Sequence, residues 1–212
     1  MTHRFATAPR HWTKTLTTAA LVLTAFTAQA QALKPIPDEA EKLKACEKNL
    51  CTMIITKDTS GDDLSCAISK TWAKDKISKG AESKSIDWGF GDARCTLDIG
   101  VPRESVVSSL TEKTYDLEVP EQTVKCEIER GEEVTPINVS LAPKLTFKDG
   151  KAYKAWLNIG KIDAPAVVKG AIWTAAKLED NFGLFHSDII DEVNDFIHNE
   201  CAKRYPDVTA AK

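Results

Sequence analysis

The sequence contains none of the short motifs that mark the common catalytic classes. It has no G-x-S-x-G, no H-E-x-x-H, no P-loop and no S-x-x-K set with its partners. Gly89 and Gly91 form a G-x-G, but the third glycine of a dinucleotide-binding loop is missing. These absences disfavour an enzyme without excluding one. We therefore name no catalytic residue and expect no cofactor.

Histidine and long apolar runs are also scarce. The 212 residues include four histidines, and no apolar run reaches the roughly 18 residues of a membrane-spanning helix. The formal charge of −3 provides no attraction to nucleic acid. With 42% apolar and 28% charged residues, the chain has the composition of a folded globular protein. We expect no nucleic-acid partner.

The first thirty residues have the pattern of a secretory signal. Arg4, Arg10 and Lys14 precede an apolar stretch over residues 16–28, and small residues follow it. The pattern predicts a signal peptide over residues 1–30, cleaved after Ala30 or after Ala32, and a single domain over residues 31–212. Residues 1–30 carry three of the 28 basic residues and none of the 31 acids, so the mature chain has a charge of −6. We expect it in the periplasm or secreted, without stable membrane insertion.

The six cysteines all lie beyond the predicted signal peptide. They are Cys46, Cys51, Cys66, Cys95, Cys126 and Cys201. An even number in an exported chain predicts structural disulfides, whereas metal or redox sites usually bring C-x-x-C pairs, which are missing here. Six cysteines allow 15 pairings. We favour Cys51–Cys66 across a polar turn, Cys95–Cys126 between strands, and Cys46–Cys201 between the first and last helices.

The apolar periodicity predicts an α+β fold. Helical spacing begins near Glu39, although residues 52–56 also suit a short strand, and Leu64, Ile68 and Trp72 indicate a second helix over 63–79. Alternation predicts strands, and Asp149-Gly150 predicts a hairpin turn. The remaining predicted elements are a strand over 95–101, a helix over 103–112, strands over 124–128, 137–147 and 153–159, a helix from 165, and a helix over 187–203. We expect one mostly antiparallel sheet of about four strands, packed against N-terminal and C-terminal helix pairs and stapled by disulfides.

Two groups of residues are candidates for a functional site. Trp88 and Phe90 lie in a glycine-flexed loop that suits either a contact with a ligand or partner, or a plug at one end of the core. Trp156 lies on the outer face of the predicted hairpin, opposite its apolar face. It marks a contact surface if the outer face is open, and belongs to the core if helices cover both faces. On the last helix, Asp195 and His198 have the i, i+3 spacing of some metal ligands, although a solvated helix face explains the same pattern.

These observations favour a non-catalytic exported protein of the cell envelope that binds an apolar ligand or an envelope protein. One alternative is a carboxylate-dependent hydrolase of cell-wall or extracellular polymers, which needs two acids across a cleft, one with a raised pKa. Another is a divalent-metal-binding protein. A large apolar pocket beneath the final helix would favour the ligand, whereas a solid core with an exposed aromatic patch would favour protein docking.

Overall fold

The structure, a computed structural model, describes residues 33–83, 87–172 and 186–210. The predicted signal peptide lies outside these residues. The strands are β1 (Leu64–Trp72), β2 (Ala93–Val101), β3 (Thr114–Glu118), β4 (Gln122–Arg130), β5 (Glu133–Leu141), β6 (Lys144–Lys148), β7 (Lys151–Trp156) and β8 (Ile159–Asp163). The helices are α1 (Glu39–Thr56), α2 (Lys74–Glu82), α3 (Arg103–Thr111), α4 (which includes residues 166–172), α5 (His186–Asp195), α6 (Cys201–Arg204) and α7 (Pro206–Ala210), with a π-helix (Phe196–Glu200) between α5 and α6.

The larger sheet is antiparallel and has the strand order β1-β2-β4-β5-β8. Its register places alternate residues of neighbouring strands on one apolar face: Ala93 lies opposite Ile128, and Cys126 lies opposite Ile137. This alternation is the pattern that predicted strands at 95–101 and 124–128 and the first part of the strand over 137–147. The second part of that predicted strand is instead β6 of the smaller sheet. Helix α1 packs against β1 at the edge of the sheet.

The smaller sheet, with the order β3-β6-β7, contains the predicted hairpin. Asp149 and Gly150 have φ angles of 50° and 74°, the two positive values of a type I′ turn. The register shifts between Thr146 and Phe147, and Tyr153 lies opposite this shift as the extra residue of a bulge. The bulge explains why Ala152 and Ala155 are both buried although they are three residues apart.

The predicted single sheet of about four strands is wrong in its number of strands and sheets, although the mixed α and antiparallel β character is confirmed. The described residues form eight strands in two sheets. The predicted strand over 153–159 divides because Asn158 has a left-handed φ of 47° and its side-chain amide donates to the Ala142 carbonyl. At this point the chain leaves the smaller sheet and enters the larger one as β8. Strand β3 was not predicted.

The predicted helix over 63–79 is wrong in its first part and correct from Lys74 onward. Residues 64–72 form strand β1, and the helix α2 follows from Lys74. Leu64, Ile68 and Trp72 are separated by four residues, a spacing that places side chains on one face of a strand as well as on one face of a helix. Cys66 completes the alternation of the strand and pairs with Ile99 of β2. The ambiguous residues 52–56, in contrast, continue helix α1.

Three disulfides join these elements, and the described chain has no free cysteine. Cys95–Cys126 links β2 to β4, as predicted. The predicted pairs Cys51–Cys66 and Cys46–Cys201 are wrong, because their partners are exchanged: Cys46 bonds Cys66, and Cys51 bonds Cys201. The reason is that residue 66 lies in a strand beside α1, so that the face of α1 with Cys46 meets β1 while Cys51 meets α6. Three intramolecular disulfides are typical of an oxidising compartment.

Candidate functional site

A large apolar cavity lies beneath the C-terminal helical region. Its volume is about 470 Å³, it is partly open to solvent, and it is bounded by α1, α3, both sheets, α5 and the π-helix. The lining side chains include Leu50 of α1, Ile99 of β2, Leu110 of α3, Leu145 and Phe147 of β6, and Phe196 of the π-helix. The cavity therefore lies where the helices meet the two sheets.

The size of the cavity suits a small organic molecule. Small-molecule sites commonly have volumes of roughly 300–1,000 Å³. An apolar cavity of roughly 150 Å³ holds benzene, which has six carbon atoms. The 470 Å³ found here is about three times larger, so it scales to a molecule of roughly 18 carbon atoms.

The wall of the cavity has little polar character. The lining hydroxyl of Ser109 donates a hydrogen bond of 2.7 Å to the Val106 carbonyl within α3, so it is already satisfied. Among the described lining residues, Glu192 alone is charged, and its side chain is exposed, which places it at the rim. The interior thus offers hydrocarbon surface, and the rim offers one carboxylate.

Two contacts fix α5 over the cavity from the side of the smaller sheet. The side-chain amide of Asn194 accepts a hydrogen bond of 2.9 Å from the Ala152 N–H and donates one of 2.8 Å to the Ala152 carbonyl. One residue of α5 thereby supplies the two hydrogen bonds that a further strand would give to the edge of β7. Nδ1 of His186 lies 3.0 Å from the Ala155 carbonyl oxygen, at the start of the same helix.

The π-helix forms the end of the cavity wall. Phe196 and Ile197, which line the cavity, lie in this wider turn, and Cys201 follows it and bonds Cys51 of α1. Single π-helical turns within α-helices are frequent at functional sites. The contacts of Asn194 just before the π-helix and the disulfide of Cys201 just after it hold the π-helix at both ends.

Trp88 and Phe90 pack against a separate core cluster. Their ring centroids are 5.1 Å apart in an edge-to-face arrangement, and Nε1 of Trp88 donates a hydrogen bond of 2.9 Å to the Gly91 carbonyl. Both rings are half-buried against a cluster that contains Ile128 and Ile137. This position matches the plug at one end of the core, and neither ring lines the cavity.

Trp156 is a surface residue of the smaller sheet. Its side chain is 40% exposed, and that of Tyr153 is 43% exposed. The Nζ of Lys154 lies 5.9 Å from the Trp156 ring centroid and 5.7 Å from that of Tyr153. The structure brings Trp156 together with His186, at 6.3 Å between ring centroids, and not with Trp88.

The structure gives Asp195 and His198 no third ligand. The Asp195 carboxylate accepts a hydrogen bond of 2.7 Å from the Asn199 side chain. Within residues 33–83, 87–172 and 186–210, no group of three or more His, Cys, Asp or Glu side chains is arranged to hold a metal ion. The metal prediction thus has no supporting geometry in this part of the chain.

The carboxyl groups with shifted pKa values do not resemble the general acid of a glycosidase. Each described carboxyl whose pKa departs from its ordinary value departs downward: Glu39, Asp58, Asp116, Glu200 and Asp207. At Glu39, burial raises the pKa, but hydrogen bonds from the Thr71 N–H and hydroxyl outweigh it. A general acid requires a raised pKa instead.

Sequence reasoning missed the residues that line the cavity. The sequence predicts helices over 103–112 and 187–203, but it does not show that Val106, Leu110, Val193 and Phe196 line a cavity. Leu117 of β3 was not assigned to any element. The available pattern was helical apolar spacing, which shows that a face is buried but does not show whether that face is packed or lines a cavity.

Comparisons with protein-family models, with curated proteins and with solved structures found no match. In the described part of the chain, no helix combines the length and the hydropathy required to cross a membrane. The geometry of the cavity is therefore the basis for assigning a function.

Proposed function

We propose that this protein is a non-catalytic, exported binding protein that holds an apolar small molecule in the cavity beneath α5 and the π-helix. The observation that carries the proposal is a hollow of about 470 Å³ with a hydrocarbon wall. Apolar cavities of this volume bind ligands by removing apolar surface from water.

The expected affinity follows from the size of the ligand. Burying one CH₂ group contributes about 0.8 kcal/mol, so a twelve-carbon chain contributes about 10 kcal/mol before any cost of association. Lost translational and rotational freedom costs about 4 kcal/mol or more. The difference corresponds to a dissociation constant of about 40 μM or weaker.

An oxidising compartment fits this role. The three disulfides hold α1 to β1, α1 to α6, and β2 to β4. Two of these bonds fix elements of the cavity wall, so oxidation after export would stabilise the binding site. The N-terminal pattern supports export, and the periplasm or the extracellular space is part of the same proposal.

The test is competition between a neutral fluorescent dye and dodecanol. We expect N-phenyl-1-naphthylamine to bind one saturable site and dodecanol to displace it. Leu145→Trp replaces the leucine side chain in the cavity wall with a larger indole ring, and it should weaken dye binding at least tenfold. The matched control is Val134→Trp, because Val134 is a strand residue that is 41% exposed and lies outside the cavity wall.

Circular dichroism and thermal melting would verify that each variant is folded. If Leu145→Trp does not fold, Val193→Phe on α5 supplies a second obstruction, from a helix that lines the cavity. The proposal is refuted if dye binding is not saturable, if dodecanol does not displace the dye, or if the obstructing variant that folds binds as well as Val134→Trp.

Docking of an envelope protein is a second candidate, supported by the exposed rings of Tyr153 and Trp156. These two aromatic side chains lie beside Lys154 on the smaller sheet. Aromatic residues are enriched at protein interfaces. The half-buried loop with Trp88 and Phe90 has less exposed surface to offer, so any docking site is better placed at Trp156.

A further inference from the structure

We propose that the ligand of the cavity is an amphiphile with a hydrocarbon chain and a cationic headgroup that pairs with Glu192. This inference rests on the proposed binding function and adds the chemical class of the ligand. It follows from where the polar atoms of the site are and from the sign of their charge.

The interior of the cavity offers few partners to a polar group of a ligand. Burying a polar group without a hydrogen-bonding partner is unfavourable. The Ser109 hydroxyl is committed to the Val106 carbonyl. The buried side-chain oxygen that lacks a partner in the described chain, Oγ of Ser69, does not line the cavity. A ligand must therefore place its chain inside and its headgroup at the rim.

Glu192 is the side chain that meets a headgroup at that rim. It lines the apolar cavity and also an adjoining surface hollow of about 390 Å³, so it lies at the boundary between the two. Its carboxylate attracts an ammonium group and repels the carboxylate of a fatty acid.

The described side chains that line the adjoining hollow are all acidic. The adjoining hollow is lined by Asp188, Asp191, Glu192 and Asp195, and α5 contains no Lys or Arg. No described Lys or Arg side chain lines either hollow. The carboxylates of Asp191, Glu192 and Asp195 favour a cation at the rim and disfavour an anion. Of these three side chains, Glu192 is the one that also lines the apolar cavity.

The experiment compares three ligands with the same chain length: dodecyltrimethylammonium, dodecanol and dodecanoate. Each would displace N-phenyl-1-naphthylamine from the full mature protein at submicellar concentration and low ionic strength. We expect affinity to decrease in that order, with the cation at least threefold tighter than the carboxylate. Added salt should reduce this ratio because the rim is exposed to solvent.

Two variants, each of which removes one negative charge, distinguish a local role of Glu192 from an effect of net charge. Glu192→Gln should reduce the ratio of cation to carboxylate affinity by about threefold. Asp191→Asn should reduce the ratio of cation to carboxylate affinity much less, because Asp191 lines the adjoining hollow but not the cavity. Glu192→Lys should reverse the preference.

The outcomes distinguish this inference from the function on which it rests. If dodecanol displaces the dye but dodecanoate binds as tightly as the cation, the headgroup assignment is wrong and the apolar site stands. Equal effects of Glu192→Gln and Asp191→Asn also overturn it, since net charge alone would then explain the preference. If none of the three ligands displaces the dye, the proposed function itself fails.

Discussion

Removal of the Cys51–Cys201 disulfide should destabilise the protein more than removal of either other disulfide. The bond closes a loop with a sequence separation of 150, compared with 20 for Cys46–Cys66 and 31 for Cys95–Cys126. The chain-entropy relation converts these separations into about 5.1, 3.3 and 3.7 kcal/mol at 25 °C. The other two bonds shorten the effective loop, but the dependence on length is logarithmic, so the first figure remains close to 5 kcal/mol.

The perturbation is the double substitution Cys51→Ala with Cys201→Ala, and the assay is urea unfolding of the mature protein under oxidising conditions. We expect the free energy of unfolding to decrease by about 5 kcal/mol, roughly 2 kcal/mol more than in a variant with Cys46→Ala and Cys66→Ala. Cys51 and Cys201 are 0% and 1% exposed, so lost packing adds to the difference in the same direction.

Peptide mapping without reduction provides the independent check. Fragments that contain Cys51 and Cys201 should remain joined, as should those that contain Cys46 and Cys66. Recovery of a Cys51–Cys66 link would refute the arrangement of α1 between β1 and α6. Equal destabilisation by the two double substitutions would refute the argument from loop length while leaving the pairing intact.

Two further predictions concern side chains that fix helices to strands. Glu39→Gln should lower the free energy of unfolding at pH 7 by about 1–3 kcal/mol. The pKa of Glu39 is lowered from 4.5 in the fold. Its contribution to stability is therefore present above about pH 4.5 and is lost as the pH falls through the folded pKa, so urea melts of the variant and the wild type should converge in acid. The control Glu41→Gln, at an exposed position, should change the free energy of unfolding little. Asn194→Ala leaves the buried N–H and C=O of Ala152 without their partners. It should lower the free energy of unfolding by about 1–3 kcal/mol and accelerate hydrogen exchange at Ala152, whereas the control Asn199→Ala should do neither. Unchanged exchange at Ala152 in Asn194→Ala would contradict the contact at the edge of β7.

The strands were predictable where apolar and polar residues alternate without interruption. Ile137, Val139 and Leu141 lie in β5 as predicted, and Asp149-Gly150 forms the hairpin turn. Strand β1 was not predictable from the same reasoning, because a spacing of four fits the periods of both a strand and a helix. The division of the predicted strand after Trp156 depends on the conformation of Asn158, which apolar periodicity does not report.

The disulfide partners of α1 required knowledge of which element lies on each side of the helix. Cys46 and Cys51 are five residues apart, which rotates them by about 140° around a helix with 3.6 residues per turn. They therefore face different neighbours and cannot both meet the same one. The sequence places the two cysteines on different faces, but only the position of β1 and α6 decides which partner each face receives.

The cavity depends on the distances between elements rather than on the pattern within any one of them. An apolar residue on a helix face has the same spacing whether it touches the opposite wall or stops short of it. The helices predicted over 103–112 and 187–203 therefore do not show that Leu110 and Phe196 line a hollow. The contacts that join these elements include Cys46–Cys66, Cys51–Cys201 and the two hydrogen bonds of Asn194. Each is a contact between residues far apart in the chain, and together they hold α1, β1, β7 and the last helical region at fixed separations. Interior side chains ordinarily pack without large voids. A hollow of about 470 Å³ between elements that these contacts join is therefore a departure from ordinary packing, and under the proposed function a ligand fills it.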